Sequence, residues 1–437
     1  MGCAASHRRE GGKLNHEIDD YHFLKLNEEL LQDPYPFYAR LRECGPVCRE
    51  SDFGVYLVST VDAIREVNRQ PEIFSSVLVA NAPYVELPCP LDDIAEFRRA
   101  NPYSDKILSN DPPDHTRHRK LINRLFTTSR VRDLEPRIRE IVNATIDSFI
   151  DAGEVEFVFS FSHMIPRLVV GELLGLPPAD QEQFKSFFET RLRLMAELAA
   201  QPLSGFQRRM QNQAGITENE FLRDYFVAAI SERRQQPRND IMSELANATF
   251  DDGEEVPLES LVSMIALLYS AGGDANTPEL MTNSMLALLE RPELERALRD
   301  DPSLVKGFIE EVLRFDTPVP GVFRIALQDT RVAGVPIAKG AILMVVYAAA
   351  NHDETYFEQP EQFRVGRDCP HPHLGFGLGA HFCPGAPLAR LEGQVAVQEV
   401  LRRMNNIHRL DADPVPYVPS VIQRIPIRLR LGFSERS

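Results

Sequence analysis

The chain has 437 residues, of which 48 are Lys or Arg and 64 are Asp or Glu, so its net charge is −16. This acidity argues against a nucleic-acid-binding protein, because contacts with phosphates need clustered cations. With 43% hydrophobic residues the composition is that of a globular protein. The length allows either about three domains or one large core.

The sequence shows no sign of a membrane span or of a disulfide framework. Its longest uncharged apolar stretches, 261–273 and 341–351, are shorter than the ~20 residues that a spanning helix needs. No secretory segment is apparent, so we expect a cytoplasmic protein, in which Cys44 and Cys48 are unrelated thiols. The start MGCAAS matches a short N-myristoylation pattern, for which chance is the favoured interpretation.

The N-terminal part of the chain mixes short elements of both kinds. Residues 1–20 are polar and predicted to be disordered. Residues 55–59 predict a strand, and the segment VDAIREVNRQ that follows predicts a helix. Residues 76–113 are rich in Pro and predict a long loop.

Helical periodicity dominates from residue 115 to about residue 290. Another helix is predicted to begin at Pro302 with Asp301 as its N-cap. From Phe323 onward, alternating apolar residues and Gly/Pro turns predict strands. Since no linker interrupts the chain, we predict a mainly α fold with a smaller β-rich region, forming one domain over residues 21–437.

The segment LGFGLGAHFCPGAPLARLE carries the clearest chemical signal. Cys383 lies in a Gly-rich loop directly before an amphipathic run, so the sequence places it at or just before a helix N-terminus. Free N–H groups and the positive end of the helix dipole stabilise a thiolate there. Gly379 and Gly385 permit tight turns that aim backbone amides at the sulfur. An immobilised, hydrogen-bonded thiolate is what a sulfur-ligated haem iron requires.

The spacing of five residues in this loop is similar to the haem-binding signature of the cytochrome P-450 family. The pattern is Phe-x-x-Gly-x-His-x-Cys-x-Gly, formed by Phe376, Gly379, His381, Cys383 and Gly385. The resemblance implies a single large domain that encloses haem b (iron protoporphyrin IX), with Cys383 as the axial ligand of the iron. It further implies a monooxygenase that inserts one atom of O2 into a small molecule.

Two other segments support this resemblance. Glu311 and Arg314 match the buried Glu-x-x-Arg pair that locks the family's fold near the haem, whereas Gln362 stands where many members have a third partner, an Arg. His115 and Arg119 lie four apart on one helical face and match family residues that contact a haem propionate.

Further cations complete this expected propionate site. Arg324 and His381 are additional candidates by the same resemblance. Several buried cations are expected because haem carries two carboxylates that must be neutralised.

The segment SAGGDANTPE, at 270–279, resembles the family helix that crosses the oxygen-binding face of the haem. Ala271, Gly272 and Asp274 match, but Ala275 stands where Thr is usual, followed by Asn276. The adjacent glycines cost roughly 2 kcal/mol relative to Ala, which we interpret as close approach of a flat group to the backbone. Because Pro278 removes a backbone donor, a local kink is expected in a helix running from residue 258 to about 289.

The missing hydroxyl leaves three hypotheses for proton delivery, in order of preference. In the first, Asp274 with Asn276 or an ordered water delivers protons in an ordinary monooxygenase. In the second, a hydroxyl or ether of the substrate fills the gap. In the third, the enzyme performs an atypical reaction such as peroxide-driven oxidation. A haem sensor or electron carrier without turnover is the alternative from another class of protein.

The resemblance also implies a substrate and an electron donor. The residues matching the family's substrate contacts are mostly apolar and indicate a lipophilic small molecule. They are Leu267, Leu268, Ala271, Ala275, Val319, Val322, Val421 and Ile422. No flavin or nicotinamide fingerprint is present, so we expect electrons from a separate ferredoxin and ferredoxin reductase. A basic patch of Arg117, His118, Lys120 and Arg124 would suit an acidic ferredoxin, although a solvated helix face is an equally good interpretation.

Overall fold

Helices form the larger part of the structure, a computed structural model that describes residues 17–18, 23–79, 82, 87, 89–184, 186, 220–367 and 372–436. The helices are α1 Glu28–Gln32, α2 Tyr35–Cys44, α3 Val61–Asn68, α4 Ile94–Ala100, α5 Asp114–Leu125, α6 Thr128–Arg132, α7 Glu135–Asp147, α8 Met164–Leu173, α9 Glu220–Gln235, α10 Ile241–Ala246, α11 Leu258–Gly273, α12 Thr277–Glu290, α13 Pro292–Asp300, α14 Val305–Phe315, α15 Tyr347–Ala350 and α16 Ala386–Arg403. In the described part of the chain no helix is long and apolar enough to cross a bilayer.

The strands form a smaller region, as the sequence predicts. They are β1 Glu17–Ile18, β2 Val47–Glu50, β3 Tyr56–Val58, β4 Phe74–Ser75, β5 Glu154–Glu156, β6 Val322–Ala326, β7 Thr330–Val332, β8 Val335–Ile337, β9 Ile342–Val345, β10 Met404–Arg409 and β11 Arg430–Glu435. The largest sheet has six strands in the order β1-β2-β3-β9-β6-β4. Smaller sheets join β10-β11-β5 and β7-β8. The predicted class, mainly α with a smaller β-rich region, is confirmed.

Three expectations about the first third of the chain need correction. Glu17–Ile18, within the segment predicted to be disordered, pairs with Arg49 and Glu50, while residues 1–16 and 19–20 lie outside the described residues. The predicted loop 76–113 contains helix α4. Cys44 and Cys48 are not unrelated thiols but form a disulfide, because Gly45, with φ of +133°, turns the chain between α2 and β2.

Helix α11 forms the apolar centre of the helical part. It packs against α8 and α9 through residues exposed by only a few per cent, such as Leu261, Met264 and Ile265. The local kink expected near Pro278 is a complete break: α11 ends at Gly273 and α12 begins at Thr277 with Pro278 in its first turn. Pro278 explains the site of the break, since it cannot donate to the preceding turn.

A buried ionic network joins α14 to the chain beyond α15. Arg314 is 2% exposed and donates to both carboxylate oxygens of Glu311 at 2.8 Å, and to the carbonyls of Asn351 and Pro360 at 2.9 Å. The predicted burial of the pair is therefore confirmed. The third partner is Arg367, whose Nε lies 3.0 Å from Glu311 Oε1. The sequence analysis missed it because it looked for an Arg at position 362, where this chain has Gln362.

We predict that Arg314→Ala lowers the free energy of unfolding by about 3–5 kcal/mol, because it leaves the Glu311 carboxylate buried with one partner fewer. Urea unfolding of the purified protein measures this loss. Arg40→Ala is the matched control, since the Arg40–Glu43 pair has side chains 55% and 67% exposed, and its removal should change stability by less than about 1 kcal/mol. Equal losses in the two variants would contradict the structural role of the network.

Candidate active site

Cys383 lies at the end of a loop that hydrogen bonds and glycine turns hold in place. Its backbone N–H donates to the carbonyl of Phe376 at 2.9 Å, and α16 begins three residues later at Ala386, as the sequence predicts. Gly379 has φ of +78°, and a Cβ there would meet the carbonyl oxygen of Asn68 at 2.8 Å, so the loop requires glycine.

The surroundings of the Cys383 sulfur are mixed. Burial raises the pKa of the thiol, while the amides of Gly385 and Ala386 and the charge of Arg119 oppose that rise. The amides at the helix N-terminus thus lower the pKa of Cys383, as the sequence predicts, but they do not fully offset the rise that burial causes. Coordination to a metal cation is the interaction that fully stabilises a thiolate in such surroundings.

A polar network supports the loop from behind. Glu310 of α14 accepts hydrogen bonds from His373 Nε2 at 3.1 Å and from Arg390 Nε at 2.7 Å. Burial raises the pKa of Glu310, but these two partners outweigh it and lower the pKa to about 2. The Arg390 guanidinium lies 4.5 Å from the centre of the Phe376 ring. The network therefore helps to hold Phe376, whose carbonyl accepts the hydrogen bond from Cys383.

Two imidazoles and a guanidinium meet beside this loop. The rings of His115 and His381 are 4.2 Å apart, and His381 Nε2 shares a hydrogen bond of 3.1 Å with Ser76 Oγ. Arg324 is 4% exposed and donates to the carbonyl of Phe323. Burial and the neighbouring cations lower the pKa of His115 to about 4 and that of His381 to about 2.

This cluster fits the two carboxylates of a haem. Both ring nitrogens of His115 are buried without a hydrogen-bond partner among the described residues. The nearby carboxylate of Asp111 is engaged by the Ser76 amide at 2.8 Å and by Arg98 at 3.0 Å. The buried guanidinium of Arg324 and two uncharged imidazoles that can donate hydrogen bonds, with the nearby acid engaged elsewhere, favour an anionic guest.

Arg119 makes contacts besides the one with a haem propionate that the sequence predicts. Its guanidinium donates to Asn123 Oδ1 at 2.8 Å and to the carbonyl of Phe382. It thereby ties α5 to the Cys383 loop, and its charge lies close enough to lower the pKa of the thiol. Its predicted contact with a haem propionate stays a prediction.

Several residues of α11 and of the turn after it are not buried, although most of this helix is. Ala271 is exposed, and Leu267, Leu268, Ala275 and Asn276 are partly exposed. The partial exposure of these residues is in keeping with the predicted pocket lining.

The glycine pair also lies against helix α8. A Cβ on Gly272 would meet Val170 Cγ2 at 3.1 Å, and one on Gly273 would meet the Cα of Arg167 at 3.4 Å. The glycines therefore let α8 pack closely against α11. The predicted approach of a flat cofactor to Gly272 stays a prediction.

The other predicted pocket residues divide into two groups. Val319, Val322 and Ile422 are partly exposed, in keeping with a pocket lining. Val421 is 4% exposed and belongs to the apolar core that also contains Leu78. Its burial there does not support a place in the pocket lining.

Asp274 is buried in an ionic cluster that sequence reasoning did not foresee. Its Oδ1 accepts hydrogen bonds from Arg167 Nη2 at 2.5 Å and Nε at 3.1 Å, and lies 3.6 Å from His163 Nδ1. Burial raises the pKa of Asp274, but His163 and Arg167 outweigh it and hold the pKa below its ordinary value. The signal in the sequence was a pair of polar residues four apart among mostly apolar ones, with His163 just before α8 and Arg167 within it.

The predicted basic patch on α5 is largely neutralised by the turn after α10. Arg117 pairs with Asp252 at 2.5 Å and Glu254 at 2.8 Å, and Lys120 pairs with Asp251 at 2.7 Å. Arg124 pairs with the same Asp251 at 2.9 Å, and His118 is buried. The patch is thus a set of surface ion pairs, and His118 is no part of its surface.

We predict opposite effects of Arg324→Leu on the protein without and with haem. In the apoprotein the substitution removes a buried cation and should leave the free energy of unfolding unchanged or raise it by about 1–3 kcal/mol. In the haem-loaded protein it removes a carboxylate partner, so transfer of haem to apomyoglobin should become at least tenfold faster.

Arg331→Leu on the neighbouring strand β7 is the control, because Arg331 is exposed. A loss of apoprotein stability together with unchanged haem transfer would contradict the assignment of Arg324 to the haem carboxylates.

The chain is similar to proteins of one family over most of its length. The profile of the Cytochrome P450 family matches residues 66–421. A steroid C26-monooxygenase of Mycobacterium tuberculosis is 34% identical over 376 residues, which cover 86% of this chain and 87% of that protein. Among solved structures, substrate-free cytochrome P450 CYP150A6 of Mycobacterium marinum is 32% identical, with a TM-score of 0.80 and coverage of 94% of this chain and 98% of that one. CYP109E1 of Bacillus megaterium in complex with testosterone is 28% identical, with a TM-score of 0.75 and coverage of 92% and 99%. The chain therefore belongs to the cytochrome P450 family, and it is a haem b-dependent monooxygenase of that type.

Proposed function

We propose that the protein inserts one oxygen atom of O2 into a lipophilic small molecule, with electrons supplied by a separate ferredoxin and ferredoxin reductase. Haem bound through Cys383 supplies the redox chemistry that cleaves O2. The overall reaction consumes two electrons and two protons for each oxygen atom inserted, with water as the second product. The protein's own residues must therefore hold the substrate and admit protons to a site closed to bulk water.

The observation that carries the proposal is the cluster of Asp274, Arg167 and His163 next to Ala275. Its position at the end of α11 places a titratable group beside the cavity wall formed by Ala271 and Ala275. The Asp274 side chain is 6% exposed, so a proton reaching it is shielded from bulk water. Such shielding suits a relay group, whereas a haem sensor or electron carrier does not require one.

We propose that Asp274 Oδ1 accepts and passes on a proton when it parts from Arg167. While Arg167 is in contact, the carboxylate stays charged, because the guanidinium opposes its protonation. His163 Nδ1, at 3.6 Å, is close enough to exchange a proton with Asp274 directly or through one water. Asn276 or an ordered water then takes the place of the hydroxyl that Ala275 lacks.

We propose a steroid-like lipophile as the substrate class. The partly exposed wall residues Leu267, Leu268, Val319 and Val322 are apolar, and burial of apolar surface against such walls favours a lipophile. The names of two similar proteins point the same way, since one is a steroid C26-monooxygenase and the other was solved with testosterone.

We propose that an acidic ferredoxin docks at the α5 surface and competes with its ion pairs. Arg117, Lys120 and Asp251 have side chains between 37% and 56% exposed. Exposed pairs of this kind contribute about 0–1 kcal/mol each, so a partner with clustered carboxylates can displace them at little cost.

We expect Asp274→Asn to lower the O2-dependent turnover roughly 100-fold, because a proton relay contributes about that much to the rate. Turnover supported by hydrogen peroxide should change by less than about threefold, since peroxide already carries the protons. Both rates are measured on one compound chosen by its type I spectral shift. Asp240→Asn is the matched control, because the Asp240–Arg233 pair is equally buried, with side chains 6% and 3% exposed.

An equal fall of both rates in Asp274→Asn would assign Asp274 a purely structural role. A second experiment measures the product formed per NADH in Ala275→Thr. A rise in the product formed per NADH would support protein-supplied proton delivery, whereas poor O2 turnover with good peroxide turnover in wild type would instead support a peroxide-driven enzyme.

We expect Asp251→Asn combined with Asp252→Asn to speed reduction by an acidic ferredoxin about threefold or more and to steepen its salt dependence, because the freed cations attract the partner. Arg117→Gln with Lys120→Gln should slow it by a similar factor. Stopped-flow reduction at several ionic strengths measures both effects, with the remote Arg40→Gln as control. Docking at α5 is excluded if both double variants reduce at the wild-type rate.

A further inference from the structure

The backbone between α11 and α12 is strained at Asn276. This residue has φ of +74° and ψ of −46°, and the N–H of Thr277 donates to the carbonyl of Ala275 at 3.0 Å. These values describe a γ-turn of the rare kind with positive φ. A residue with a side chain is held in such a conformation only when its surroundings enforce it, and such strain concentrates at functional sites.

The side chain of Asn276 is met by an amide from the C-terminal part of the chain. Gln423 Nε2 donates to Asn276 Oδ1 at 3.4 Å. Sequence reasoning placed Val421 and Ile422 at the pocket but stopped one residue short of Gln423. The contact brings together two segments that lie 147 residues apart.

Gln423 belongs to a turn that is fixed on both sides. Its backbone N–H donates to Ser420 Oγ at 3.2 Å, and the N–H of Arg424 donates to the carbonyl of Pro318 at 3.0 Å. The Arg424 guanidinium pairs with Asp316 at 2.8 Å and donates to the carbonyl of Leu31 at 2.6 Å. The backbone that carries the Gln423 side chain is therefore held in place by these contacts.

Both amides border the proposed cavity. Asn276 and Gln423 are partly exposed, as are their neighbours Ala275 and Ile422, whereas Asp274, Thr277 and Val421 beside them are buried. The Asn276–Gln423 contact uses one carbonyl and one amino group. The amino group of Asn276 and the carbonyl of Gln423 are not used in this contact and offer one donor and one acceptor.

We propose that Asn276 and Gln423 form an amide clamp that binds a hydroxyl group of the substrate beside Ala275. A hydroxyl matches the clamp because it accepts from Asn276 Nδ2 and donates to Gln423 Oε1. A carboxylate matches less well, since it cannot donate to Gln423 and the adjacent cation, Arg424, is neutralised by Asp316. The clamp rests on the proposed function and narrows its substrate class to lipophilic alcohols.

The clamp also accounts for Ala275. A methyl group at this position leaves space where a substrate hydroxyl can lie next to the clamp, whereas a larger side chain would occupy it. A site that hydrogen-bonds a substrate hydroxyl rejects the analogue that lacks it, because its own polar groups are then buried without partners. The clamp therefore determines specificity as well as orientation.

The test uses pairs of steroid probes, each an alcohol and its deoxy partner, such as testosterone and androst-4-en-3-one. Dissociation constants come from type I spectral titration of the haem-loaded full-length protein. In wild type we expect at least one alcohol to bind ten or more times tighter than its deoxy partner. In Gln423→Met, which conserves side-chain volume, the ratio should fall below about threefold.

Asn276→Gly separates recognition from folding. Glycine adopts positive φ without strain, so this variant should keep or raise the melting temperature while it loses the discrimination between alcohol and deoxy probe. Gln70→Met, a glutamine bonded to the carbonyl of Glu66 at 2.9 Å far along the chain, is the control and should behave as wild type.

The clamp proposal is overturned if wild type binds both members of every probe pair equally or binds none of the probes. It is also overturned if both variants keep the wild-type ratio of dissociation constants between deoxy probe and alcohol. Failure of the proposed function itself would look different. The reduced CO spectrum of wild type would then lack the Soret band of a thiolate-ligated haem, or O2-dependent turnover of the bound probe would be absent.

Discussion

The buried guanidinium of Arg314 is the interaction on which the rest of the site depends. It joins the Glu311 carboxylate on its own helix to the carbonyl of Asn351 beyond α15. Asn351 in turn accepts a hydrogen bond on Oδ1 from the N–H of Leu374 at 2.6 Å and donates to Thr317 Oγ1 at 2.8 Å. The loop that carries Cys383 begins at this point. A charge buried this deeply is stable only with all of its partners in place, so the network specifies one arrangement of the loop.

The two sides of the site differ in how their charges are compensated. On the carboxylate side, His115, His381 and Arg324 form a cluster that lacks a free anion and therefore suits a haem. On the oxygen side, Asp274 is already compensated by Arg167 and His163. The first cluster is suited to a dianionic group, whereas the charge of Asp274 in the second is already compensated within the protein.

Much of the site was predictable because its residues are close in sequence. The spacing from Phe376 to Gly385 and the three-residue step from Glu311 to Arg314 each lie on one local element, where geometry follows directly from sequence. Partners from distant segments were missed for the same reason. Arg367, Arg167, His163 and Gln423 meet their partners only after helices and loops pack together, and no local pattern encodes those contacts.

The sequence by itself determined the family and the fold class and singled out Cys383 as the candidate iron ligand, because local spacing and hydrophobic periodicity are properties of the chain alone. The tertiary structure decided four further matters. It showed that α8 packs against the glycine pair, that the surface cations of α5 are paired, that Cys44 and Cys48 are joined, and that the helix breaks at a strained Asn276. Each of these depends on which distant groups come within contact distance, and only the packed chain defines that.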